Sequence, residues 1–140
     1  MYRIAIEKLL KWKQSKRRKP LIIEGARQVG KTWLMKEFGK QAYTDAIYIN
    51  FDSNSRMAEL FASDLDTDRL IMGLELYAGR KIDPDNSLLI FDEVQEVPRA
   101  LASLKYFYEK RPAVPHCMCR FFAWYRFASR HIFSRWQGRF

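Results

Sequence analysis

Residues 21–32 read LIIEGARQVGKT, and the fold turns on how that stretch divides. LIIEG is a short apolar run ending in glycine, the pattern of a strand buried on both faces. Gly25 to Thr32, GARQVGKT, fits G-x-x-x-x-G-K-[ST]. From Lys31 to about Gly39 the spacing is helical, with Trp33, Leu34 and Phe38 expected to face inward. Strand, glycine-bounded loop and helix in that order are the context in which this motif binds phosphate. Glycines let the backbone turn so that N–H groups of Gly25, Ala26, Arg27, Gln28, Val29 and Gly30 converge on a β-phosphate, at the positive end of the following helix. Lys31 is expected to reach the β- and γ-phosphates and Thr32 to offer its hydroxyl to Mg2+. ATP with Mg2+ is therefore the ligand to expect.

Working outward, YRIAIEKLLKW (residues 2–12) spaces Ile6, Leu9 and Leu10 close to a helical stripe, and KQSKRRKP after it reads as a solvated basic loop stopped by Pro20. AIYINFD (Ala46 to Asp52) predicts a second strand. Ser55 to Gly79 predicts two helices, the second capped by Asp66 or Thr67. SLLIFDE predicts a third buried strand, and Pro98 suits the first turn of another helix over PRALASLKYFYEK. Strands alternate with helices throughout, which predicts a three-layer α/β fold with a mainly parallel sheet. LLIFDE also places two carboxylates at the end of a strand where open α/β sheets bind their ligands. Asp92 is expected in the Mg2+ shell, and Glu93 is expected to orient an attacking water. Lys31 and Glu93 are thus the candidate catalytic residues, with Thr32 and Asp92 the candidate metal residues.

Taken together, GARQVGKT, LLIFDEVQEVP and the opening EKLLKWKQSKRRKPLIIEG resemble a family of prokaryotic AAA-type P-loop ATPases, over about residues 1–110 and including YINFD and RALASLKYFYE. Members join such an N-terminal domain to a C-terminal domain of poorly known function. The resemblance implies a sheet ordered 5-1-4-3-2, in which a fourth strand lies between the P-loop strand and the acidic strand. That strand would end in a polar sensor residue facing the γ-phosphate, within a segment resembling YHIxxAGSLLG. This chain instead reads VPHCMCRFFAW there.

Composition breaks at the same place. The chain carries 25 Lys and Arg against 16 Asp and Glu, but six of those arginines, and no lysine or acidic residue, lie from Arg111 onward. Shifted by one base, with degenerate third positions chosen freely, the codons of the tail spell YHIACAGSLLGIALHRGTSFPVGKVDF. The glycines drawn from Trp124 and Trp136 are forced, because TGG yields only GGN. Residues 111–140 are accordingly expected to be an out-of-frame tail, the shift falling near Glu109 to Pro112. The domains predicted are 1–110, the N-terminal part of an AAA-like ATPase domain, and 111–140, this tail. The last core strands would then be missing or replaced, and the P-loop and acidic strands left unpaired unless HCMCRFF fills the slot.

His116, Cys117 and Cys119 lack a fourth zinc ligand at a usual spacing. Arginines alternating with aromatics would also suit single-stranded nucleic acid, so a basic binding module stands as the alternative, beside a truncated remnant without function. No apolar run reaches the length of a membrane span, no signal peptide is evident, and a cytoplasmic location with nucleotide as partner is expected. Oligomeric state is not legible. With the sensor strand replaced and no arginine assignable as a finger, nucleotide binding is expected more than hydrolysis.

Overall fold

The computed structural model describes residues 2–15, 20–25, 31–110 and 116–122. Its centre is a parallel four-stranded sheet ordered β1-β4-β3-β2, made of β1 (Leu21–Gly25), β2 (Asp45–Asn50), β3 (Ser87–Asp92) and β4 (His116–Phe122). The non-consecutive neighbours require crossovers, and helices supply them: α1 (Tyr2–Gln14), α2 (Lys31–Ala42), α3 (Ser55–Ala62), α4 (Thr67–Ala78) and α5 (Pro98–Glu109). The expected α/β class is what forms. HCMCRFF does occupy the slot between the P-loop strand and the acidic strand, pairing with both.

Alternation along each strand divides the helices between the two faces. Leu21, Ile23, Leu88, Ile90 and Met118 meet Leu9 of α1 and Leu34, Met35 and Phe38 of α2. Ile22, Ile47, Ile49, Leu89, Phe91, Cys117 and Cys119 meet α3, α4 and α5 through Met57, Phe61, Leu70, Leu74, Leu101, Leu104 and Phe107. The sheet is thus the middle of three layers, buried on both sides, which is why its strands read as unbroken apolar runs.

Several expectations need correction. Trp33 does not face inward but is 50% exposed. The buried stripe of α2 is Leu34, Met35 and Phe38, and Trp33 precedes it by about 100° of helical rotation. In α1, Leu9 is buried while Leu10 is exposed, and Ile6 is only partly covered. Helix α2 runs three residues past Gly39, to Ala42. Gly39 stands in the helix because the sheet is so near: a Cβ there would come within 2.6 Å of the Ala46 Cβ. Strand β2 starts and ends earlier than AIYINFD, since Asp52 already lies in a turn. Asp66 caps α4, accepting a bond from the Arg69 N–H, and Gly79 ends it in the left-handed conformation at φ 74°. Pro98 opens α5 as expected.

Candidate nucleotide site

Of the loop GARQVGKT, Gly25 is the last residue of β1, while Lys31 and Thr32 begin α2. Ala26, Arg27, Gln28, Val29 and Gly30 lie outside the described residues. A strand that ends in glycine and a helix that starts at Lys-Thr bracket the loop, and the first turn of α2 faces the end of β3. There the Thr32 hydroxyl donates to Asp92 Oδ2 at 2.8 Å, across sixty residues of sequence.

Strand parity explains what else gathers there. Leu88, Ile90 and Asp92 share the α2 face of β3, and Met118 and Arg120 share that face of β4. In register, Ile90 stands beside Met118 and Phe91 beside Cys119, so Arg120 falls next to Asp92. The Arg120 Nε donates to Asp92 Oδ1 at 2.7 Å and its Nη2 to Glu93 Oε2 at 3.2 Å. All three residues are buried, Arg120 to 4% exposure. Tyr48 of β2 reaches the same carboxylate, its hydroxyl 2.6 Å from Asp92 Oδ2. Burial first, then this hydrogen bond and the charge of Asp92, push the Tyr48 phenol above its ordinary range, so it stays a donor.

Glu93 leaves the strand with φ 56° and ψ 41°, a left-handed conformation uncommon outside glycine, and one turn of 3₁₀ helix (Val94–Glu96) follows. This turn carries the buried Gln95, whose amide donates to Glu93 Oε1 at 3.0 Å. The Glu93 N–H in turn donates to Asp92 Oδ1 at 2.9 Å. Two polar atoms of the cluster, Arg120 Nη1 and Gln95 Oε1, are buried without a hydrogen-bond partner among the described residues. In a folded protein such atoms call for an explanation.

Thr32 and Asp92, the two candidate metal residues, stand within hydrogen-bond distance of each other. Tyr48, Gln95 and Arg120 were not anticipated. Tyr48 could have been found by counting two residues back from Asn50 on an alternating strand. Arg120 sits two residues beyond Met118 on a strand face, so the alternation within HCMCRFF is the signal that points to it.

Whether Mg2+ suits this donor set can be judged from Asp92. A carboxylate offers about four lone-pair positions. Those of Asp92 already receive Thr32, Tyr48, the Glu93 N–H and Arg120. A buried guanidinium supplies the positive charge beside it. As these side chains stand, the set does not fit a divalent cation.

A phosphate-loop motif between a buried parallel strand and a helix, faced by an acidic strand two places away in the sheet, defines the class of P-loop nucleotide-binding folds. The chain belongs to the AAA domain family, whose sequence profile matches residues 17–119, most of its length and the first part of β4. ATPases of this family generally use ATP and Mg2+. Among solved structures it is similar in fold to PCH-2 from C. elegans, with a TM-score of 0.45 and 18% identity. That alignment covers 84% of this chain and 34% of PCH-2, so the chain spans about a third of that protein. No functionally curated protein matches it. Among the described residues no helix is long and apolar enough to cross a membrane.

Proposed function

We propose that this chain is an ATP-binding module of AAA type, taking the phosphates of ATP in the loop Gly25 to Thr32 between β1 and α2. The observation that carries this reading is the 2.8 Å bond from Thr32 to Asp92, which joins the end of the loop to the acidic strand. In this reading Lys31 neutralises the β- and γ-phosphates, Thr32 and Asp92 form the polar wall of the pocket, and the N-terminus of α2 adds its positive end. Glu93 is the residue placed to polarise a water, but Gln95 and Arg120 both hold its carboxylate. We therefore infer binding without appreciable turnover. A cytoplasmic setting accords with the two unpaired cysteines.

A fluorescent ATP analogue titrated into the full chain tests the reading. Lys31→Ala should weaken binding by about tenfold or more, the loss of one charge-assisted contact to phosphate. Equal affinity in the two proteins would remove the loop as the site. Phosphate release by the unaltered chain should match that of Glu93→Gln, and faster release from the unaltered chain would show that Glu93 is free to work.

The out-of-frame origin of residues 111–140 also belongs to this proposal, supported by the break in composition and the displaced spelling AGSLLG. Sequencing the coding DNA from the codon for Phe107 onward decides it. A frame that runs through AGSLLG would replace Arg120 by glycine, and a frame as written keeps it.

A further inference from the structure

Arg120 is the group in this molecule whose chemistry the family reading leaves without a use. It is a buried arginine on a central strand, and it binds the two carboxylates to which metal and water chemistry would be assigned. Two of its nitrogens are committed to Asp92 and Glu93, and Nη1 is buried without a partner among the described residues. A guanidinium fixed by two carboxylates cannot swing out to solvent without leaving both of them buried and uncompensated, which is strongly unfavourable. It is thus a permanent positive charge at the acidic strand end, with the Nη1 amino group and its two N–H donors unspent.

We propose that Arg120 is the resident cation of the nucleotide site: it holds Asp92 and Glu93, offers Nη1 to a phosphate oxygen, and so lets the chain bind nucleoside polyphosphates free of divalent metal. The proposal rests on the reading of Gly25 to Thr32 as a nucleotide site and specifies the form of ligand that site takes. Its physical basis is that guanidinium donors recognise phosphate oxygens through strong charge-assisted bonds, and that a fixed charge costs no reorganisation on binding. Mg2+ ordinarily offsets phosphate charge beside the acidic strand, and here the covalently attached cation already stands against that carboxylate.

The test is the affinity of the full chain for a fluorescent ATP analogue in EDTA and in Mg2+, measured for the unaltered protein, Arg120→Gln, Arg120→Lys and Lys31→Ala. The unaltered protein should bind within about threefold equally in the two buffers. Arg120→Gln should lose about tenfold or more in EDTA and regain most of that loss in Mg2+. Arg120→Lys, which keeps the charge, should fall between them. An affinity for the unaltered protein that rises tenfold with Mg2+, or an Arg120→Gln protein that behaves like its parent in both buffers, overturns the proposal while leaving the nucleotide site intact. Absence of binding in either buffer, or binding indifferent to Lys31→Ala, overturns the nucleotide site and the proposal with it. Should Arg120→Gln fail to fold, the ratio of the two affinities in the unaltered protein alone decides the matter.

Discussion

Asp92 is the residue on which the site converges, and its surroundings show how a buried carboxylate is supplied with hydrogen-bond donors. Four donors reach it, from Thr32, Tyr48, Arg120 and the Glu93 backbone, so little of its hydration is lost without replacement. Glu93 adds a second negative charge one residue away and takes a left-handed backbone to do so. Such strain persists only where surrounding contacts over-determine the geometry, and Gln95 and Arg120 supply those contacts. Tyr48 offers a separate handle on the cluster. Tyr48→Phe deletes a hydrogen bond to a carboxylate and should lower unfolding free energy by about 1.5–3 kcal/mol near neutral pH, read from denaturant midpoints. Its raised pKa has a definite sign. The unfolded phenol ionises near pH 10 while the folded one does not, so the contribution of Tyr48 is complete below about pH 10 and declines as pH rises further. The unfolding midpoint should fall on that limb, and Tyr48→Phe should flatten the fall. An unchanged alkaline limb would mean that the phenol is not held by Asp92.

At the scale of elements, β4 decides whether the sheet exists as one piece. HCMCRFF alternates in a way that serves both faces: Cys117 and Cys119 pack toward α3, α4 and α5, while Met118 and Arg120 turn toward α2. A slip of one residue would exchange the faces, putting Arg120 among the aromatics and a thiol beside Asp92. The two thiols give the check. Burial pushes both well above the usual thiol range, Cys117 also through its neighbour Cys119. As the chain has only these two cysteines, a thiol-specific disulfide reagent at pH 8 should label none in the folded protein and two after unfolding. Immediate labelling would place β4 outside the sheet. Much at this scale was legible beforehand. LIIEG and SLLIFDE are apolar enough to demand burial on both faces, and Asp66, Gly79 and Pro98 mark helix ends by local chemistry alone. Trp33 was not legible, because a helix beginning at a motif has no upstream residues to set its phase, and only packing against the sheet chooses which stripe is buried.

For the molecule as a whole, stability rests on two apolar layers, one on each face of the sheet. The larger one holds an aromatic group around Phe91, whose ring centre lies 5.1 Å from Phe51, 6.2 Å from Phe61 and 6.5 Å from Phe107. These rings come from β3, the residue just after β2, α3 and α5, so Phe91→Ala removes a contact shared by four segments. It should cost about 3–5 kcal/mol, enough to threaten cooperative folding, and a broadened or lost thermal transition is the expected reading. A transition as sharp and as high as the parent's would mean the layer repacks. By itself the sequence determined the class of fold, the order of most elements and the pairing of a phosphate loop with an acidic strand. Those depend on apolar periodicity, glycine and capping chemistry within a few residues of each other. Only the tertiary structure decided that HCMCRFF lies between β1 and β3 and that Arg120, rather than a neutral sensor, faces Asp92 and Glu93. Strand order and register are settled by contacts between segments distant in the chain, where burial on both faces and compensation of buried charge must be satisfied together.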